Sequence, residues 1–179
     1  MKLIKQIKKC PLFEGFSDAE VNKMFDCLKA RIVKYSRGQL VAKDNTEIKE
    51  ICILLEGNLV EFATRNNGKR EVIRSLVDGE YFGLSQAFNP PNILGYSVVA
   101  ALDSSVLYIV ADSVNALCNK VCPHHVKLVG NVLRELSVRI AELENNNGYI
   151  TIKGMRKKIA KLIYDKYLAQ ESLTVDLGM

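Results

Sequence analysis

The chain of 179 residues, with 48% hydrophobic and 25% charged side chains and a formal net charge of +5, has the composition of a globular protein, which excludes global disorder. It is long enough for one domain with a sizeable core plus part of a second. The amino terminus, MKLIKQIKKCPLF, interleaves lysines with apolar residues and lacks the uninterrupted apolar stretch of a signal peptide, so a cytoplasmic protein with no membrane partner is expected. Five scattered cysteines, Cys10, Cys27, Cys52, Cys118 and Cys122, fit reduced thiols better than a disulfide framework.

From Leu3 to about Ala30 the apolar positions recur at helical spacing, and Ser17 with Glu20 forms a capping-box pattern that opens the helix carrying Val21 to Leu28. Between Ile32 and Val110 the period changes. The runs RIVKY, QLVA, EICILLEG, NLVEFATR, REVIRSLV, YFGL, YSVVAAL and SVLYIV are separated by turn residues, the pattern of a small antiparallel barrel or sandwich. Asn66, Asn67 and Gly68 read as a hairpin turn, and Gly38, Gly57 and Gly79 as turn or bulge positions.

After Val110 the helical period returns. Val126, Val129, Leu133, Leu136, Ile140 and Leu143 are spaced 3, 4, 3, 4 and 3, a narrow heptad stripe along a rod of about 27 Å. Such a stripe packs either against a second helix, which makes a homodimer, or against the chain's own barrel. Asn145, Asn146, Asn147 and Gly148 are expected to end this helix and act as a hinge, because asparagine and glycine favour a left-handed cap. A further helix follows, with Met155, Ile159, Leu162 and Ile163 on one face and Arg156, Lys157, Lys158 and Lys161 around the other, and then a short strand, SLTVDL. One helix and one strand do not close a core, so the second domain is expected to be incomplete.

This order, together with PLFEGFS, YSRGQLVAKDN, CILLEGNLVEF, DGEYFGLSQAF and GMRKKIAKLIYDKYL, resembles the CRP/FNR family of bacterial transcription regulators. Gly79, Phe82 and Gly83 match the family's G-x-x-F-G-E loop. The resemblance implies an α+β fold: an antiparallel, jelly-roll-like β-roll flanked by amino-terminal helices, then a long dimerisation helix and the start of a winged-helix domain. It divides the chain into an effector-binding domain (1–123), a dimerisation helix with hinge (124–147) and the beginning of a DNA-binding domain (148–179). It also implies that occupancy of the roll shifts the loop from Gly83 to Ala87 against the Val126 to Leu143 stripe and so moves whatever follows the hinge.

Two departures qualify it. Cyclic-nucleotide binders of the family carry a glutamate after the second loop glycine and an arginine about ten residues later. Here those positions are Leu84 and Leu94 or Gly95. Losing a charge-assisted bond to phosphate, worth roughly 1.5–3 kcal/mol, weakens binding at least tenfold, so cyclic AMP is not the expected effector. Gly83, Leu84, Ser85, Gln86, Tyr96 and Ser97 remain as candidates to hold a neutral or weakly anionic small molecule. The alternative is a loop closed by Phe82, Phe88 and Tyr96 that binds nothing. The second departure is the missing recognition helix. Arg156, Lys157 and Lys158 can contact DNA phosphates, but such contacts do not read sequence.

Other classes fit less well. A cupin-type enzyme needs histidines on its strands, whereas the two histidines here, His124 and His125, are adjacent and lie outside the strand region. Cys118, Cys122 and His124 are grouped, but Pro123 breaks the helical geometry that would bring them together, so no metal, cofactor or catalytic residue is expected. A stand-alone sensor acting through protein contacts shares every feature up to Leu143 and lacks only a reason for the basic helix after it.

Overall fold

The computed structural model describes residues 2–65, 67–115, 123–151 and 154–170. It divides into two compact units, residues 1–135 and 136–179, and each is taken by itself. In the first, α1 (Lys2–Ile7), a 3₁₀ turn (Pro11–Phe13) and α2 (Asp18–Cys27) precede eight strands: β1 (Arg31–Tyr35), β2 (Leu40–Ala42), β3 (Glu50–Glu56), β4 (Leu59–Thr64), β5 (Arg70–Leu76), β6 (Tyr81–Phe82), β7 (Ser97–Ala100) and β8 (Ser104–Val110). A short α3 (Leu84–Ala87) lies between β6 and β7, α4 (Ala111–Asn115) follows β8, and α5 (Pro123–Thr151) and α6 (Met155–Gln170) complete the described chain.

Each of the eight strand runs expected from the sequence contains a strand. They pair antiparallel in two sheets of four, ordered β1-β8-β3-β6 and β2-β7-β4-β5, and Cys52, Leu54, Leu59, Leu76, Phe82, Val98 and Val106 meet between the sheets. Successive side chains on a strand point to opposite faces. In β3, Cys52 and Leu54 enter this interior, and Ile51, Ile53 and Leu55 are equally buried on the other face, where α1 packs on the strand. That two-sided burial accounts for the continuous apolar run of β3, each fully buried aliphatic side chain contributing about 1.5–3 kcal/mol. The amino-terminal helices are therefore part of the roll's core.

Local chemistry sets the connections. Ser17 Oγ accepts from the Glu20 amide and the Glu20 carboxylate from the Ser17 amide at 2.6 Å, the expected capping box. The β4–β5 hairpin closes through Arg65 N–H to Lys69 O and Gly68 N–H to Arg65 O, with Gly68 at φ +77°; of the expected turn, Asn66 lies outside the described residues. Gly57 sits at φ +116°, and a Cβ there would lie 2.4 Å from Ser104 Oγ and 2.6 Å from Asp103 O. Only glycine admits that crossing of β3–β4 over the start of β8.

One expectation is corrected. The helix does not end at Asn145–Gly148: α5 runs unbroken through them to Thr151. Asparagine in a helix costs only a few tenths of a kcal/mol more than its neighbours, while each added residue of a formed helix gains a backbone bond. The left-handed position is Gly154, at φ +93°, just before α6. The segment SLTVDL lies outside the described residues.

The first turns of α5 are tied to the Pro11–Gly15 segment. The Asn131 side chain donates to Leu12 O at 2.9 Å and Glu14 O at 3.1 Å, Arg134 pairs with Glu14 at 2.7 Å, and Lys127 donates to Gly15 O. His125, Leu128, Asn131 and Val132 are buried. Most of the heptad stripe faces the other way: Val126 is 70% exposed, Leu133 59%, Ile140 56% and Leu143 62%, with Val129 and Leu136 half-buried. The helix thus carries two stripes, an inner one packed in its own domain and an outer apolar one.

Candidate functional site

The loop from β6 to β7 keeps the expected turn. Gly83 has φ +78°, and a Cβ there would stand 2.7 Å from Ile48 Cδ1 and 3.0 Å from Glu50 O, so the backbone enters α3 by a path open to glycine alone. Asn92 fastens the far side of the loop by donating to the carbonyls of Gln86 and Ala87, both at 2.9 Å.

The candidate side chains separate into groups. The Gly83 amide donates to the Tyr96 hydroxyl, and burial pushes the Tyr96 phenol up to about 12, so at neutral pH it is protonated. Ser85 is exposed and donates to Gln86 Oε1 at 3.2 Å. Leu84 is buried and Leu94 fully so, which puts the two positions where charges were absent into apolar packing. Ser97 is buried, and its Oγ accepts the Asp44 amide at 3.0 Å, fastening the turn after β2. Gly83 and Tyr96 are therefore joined, Ser85 and Gln86 face outward, and Ser97 already serves a structural bond.

Charge is present beside Tyr96, from residues that the sequence reading passed over. Arg74 on β5 lies directly opposite Glu61 on β4, donating from Nε and Nη2 to its two carboxylate oxygens at 2.9 and 3.0 Å and from Nη2 to Tyr81 O at 2.8 Å. The Glu61 side chain is 4% exposed and that of Arg74 28%. Burial works against the Arg74 charge, but the Glu61 hydrogen bonds and charge outweigh it and hold the guanidinium above its ordinary value. Both groups act on the Tyr96 phenol. The site therefore holds an arginine already neutralised by a carboxylate, next to a phenol bonded to the loop amide. An inventory of this kind suits a ligand with neutral or weakly anionic oxygen acceptors, since a phosphate would have to compete with Glu61 for Arg74. From the same strand as the Arg74 acceptor, the Tyr81 hydroxyl donates to Glu135 Oε2 on α5 at 2.8 Å, linking the loop's root to the long helix.

The remaining candidates are dispersed. Arg156 and Lys157 are exposed on α6 and Lys161 is half-buried; the side chain of Lys158 lies outside the described residues, as do Cys118 and Cys122. His124 Nδ1 stands 3.2 Å from Glu20. Among the described residues no group of histidine, cysteine and carboxylate side chains is placed to hold a metal, and no helix is long and apolar enough to cross a membrane.

The cyclic nucleotide-binding domain family matches residues 32–121. A cAMP-dependent protein kinase regulatory subunit of Mycosarcoma maydis is 33% identical over 120 residues, 66% of this chain and 22% of that protein, so the chain spans about a fifth of the curated relative it matches. Among solved structures, the Thermus thermophilus catabolite activator protein superposes with a TM-score of 0.67 at 20% identity, over 90% of this chain and 72% of that one. The regulatory subunit of a cAMP-independent protein kinase A from Trypanosoma brucei gives 0.57 at 16% identity, over 76% of this chain and 45% of that one.

Proposed function

The chain belongs to the cyclic nucleotide-binding domain family, and on that premise we propose that it is a CRP/FNR-type transcription regulator. Its roll senses a small molecule other than cyclic AMP and relays that state through α5 to DNA binding. The observation that carries the reading is the outer stripe of α5, an apolar surface along a helix that leaves the roll and leads to the basic α6. Two rolls joined along this stripe form a symmetric dimer that presents two copies of whatever follows α5, the arrangement that paired DNA half-sites require.

Within the roll, the Tyr96 hydroxyl on the Gly83 amide and the Glu61–Arg74 pair beside it favour an effector that brings oxygen acceptors without a full phosphate charge. Tyr96→Phe removes one donor from that site and should weaken the effector. Ser97→Ala should cost stability as well, because it also frees the Asp44 amide.

The test uses the product of the native gene. Selection from random duplex DNA should enrich a two-fold-symmetric sequence, and calorimetry with cyclic AMP should give no heat beyond dilution. A tight calorimetric response to cyclic AMP would overturn the effector reading. Selection that enriches nothing would overturn the DNA reading and favour a sensor module that acts on a protein partner.

A further inference from the structure

Beside the loop, and separate from the Glu61–Arg74 pair, a cavity of about 320 Å³ opens between Arg31 and Tyr35 of β1, the segment joining β2 to β3, and the start of β3. Its volume is at the small end for ligand sites. The accessible part of its floor is made of half-buried Val41, Ala42 and Ile48, while Cys52, Phe82, Leu94 and Tyr108 line it but are themselves buried. The Tyr35 and Tyr108 hydroxyls bond to each other across it. One bond between two hydroxyls leaves one phenolic proton to donate elsewhere.

The rim is charged, and its charges do not cancel. Arg31 grips Glu50 from Nε and Nη2 at 3.2 and 2.7 Å and lies over the Tyr108 ring, 4.1 Å from its centroid, and its Nη1 edge has no hydrogen-bond partner among the described residues. Lys49 pairs with Glu47 at 2.8 Å. Lys43 has no carboxylate partner among the described residues. Three cations against two carboxylates leave a surplus of one positive charge over an apolar floor.

We propose that this cavity is a second binding site, for a small monocarboxylate with an aromatic or branched apolar body. The carboxylate lies between the Lys43 ammonium and Arg31 Nη1, and the body fills the space against Val41, Ala42 and Ile48. An inorganic anion satisfies the rim and leaves the floor unfilled, and a neutral molecule fills the floor without answering the surplus charge. The site is not isolated from the loop: Ile48 lines the cavity, and its Cδ1 is the atom that crowds Gly83. An occupant therefore presses on the side chain that backs the loop, giving the roll an input independent of the Tyr96 site.

The probe is benzoate, titrated into the full chain carrying ¹³C-labelled isoleucine and leucine methyls, with benzamide as the neutral molecule of the same shape. Benzoate is expected to shift both Ile48 methyl signals, and benzamide to bind roughly tenfold more weakly, as the loss of a charge-assisted bond requires. Lys43 is exposed, so Lys43→Gln leaves the fold intact; it should bring benzoate down to the affinity of benzamide and leave benzamide unchanged. Equal affinities of the two probes for the native chain, indifference of benzoate to Lys43→Gln, or no shift of either methyl at millimolar benzoate would each overturn the site. None of these outcomes bears on DNA binding or on the dimer.

Discussion

Replacing Glu61 by leucine tests whether the charged pair in the roll is held as a unit. The side chain that leaves is almost fully buried, and both of its oxygens are taken by Arg74. The guanidinium that remains keeps the hydrogen bond to the Tyr81 carbonyl. Breaking a fully buried pair costs about 3–5 kcal/mol, most of it the stranded charge. Arg74 is 28% exposed and can recover part of its hydration, which lowers the expected loss to about 2–3 kcal/mol. For a protein of this size that is a fall in Tm of about 4–12 °C. The double variant Glu61→Leu/Arg74→Met removes both charges and should return to within about 1 kcal/mol of the parent. Urea unfolding followed by tyrosine fluorescence suits a chain with seven tyrosines and no tryptophan. A Glu61→Leu variant as stable as the parent, or a double variant no better than the single one, would refute the reasoning.

Gly83→Ala should cost about 1–3 kcal/mol for its left-handed backbone alone, and more because the new methyl meets Ile48 Cδ1 and Glu50 O; thermal unfolding measures it, and a loss below about 0.5 kcal/mol would contradict the geometry. The Ser17 amide and then its hydroxyl hold the Glu20 carboxyl at about 2, below its ordinary 4.5. Because the folded value is the depressed one, this stabilisation is complete above about 4.5 and is lost as the pH falls toward 2. The gap in urea midpoint between the parent and Glu20→Gln should accordingly narrow from neutral pH to about pH 3. Burial pushes the Cys10 thiol up to about 12 and that of Cys52 well above its ordinary value. In a Cys118→Ser/Cys122→Ser background, the exposed Cys27 should be the one thiol that reacts quickly with an aromatic disulfide, the other two reacting only on unfolding.

The first six strands were legible because their runs end at Gly38, Asn45, Gly57, Gly68, Gly79 and Gly83, whose positive φ the structure then uses, and the last two because their runs are largely apolar. The Glu61–Arg74 pair was not, and the reason is a bulge. The β4–β5 register runs Glu61 to Arg74 and then Phe62 to Val72, skipping Ile73. A two-residue period counted along β5 fails at that point: Val72 and Ile73 are both exposed, and Arg74 is turned toward Glu61. Adjacent Glu61 and Phe62 are both buried for the same reason. A charged residue within a strand reads as solvent-facing until its partner across the ladder is known, and that partner is thirteen positions away. The cavity was hidden differently, since its walls come from β1, β3, β8, the segment after β2 and the loop after β6, and no local pattern unites them. The length of α5 was misjudged because an asparagine run was weighed as a cap, when the cost of three asparagines is small against the continuation of a formed helix.

The two stripes of α5 separate two effects that a single helix usually confounds. Ile140 is 56% exposed, so Ile140→Lys removes little packing within its own chain and should alter stability by less than about 0.5 kcal/mol. If the outer stripe joins two copies about a two-fold axis, the same substitution strikes the interface twice. Each isoleucine buried there contributes about 1.5–3 kcal/mol, so the dimer should weaken by about 3–6 kcal/mol, a factor of roughly 10²–10⁴ in Kd. Light scattering at micromolar protein then reads a mass near the 20.0 kDa of one chain. Leu128, nearly fully buried on the inner stripe, should behave in the opposite sense: Leu128→Lys forces a charge into the packing of α5 in its own domain and lowers the unfolding midpoint before it changes the mass. An unchanged mass for Ile140→Lys would remove the outer stripe as the interface, and with it the step that makes α5 a relay between two rolls.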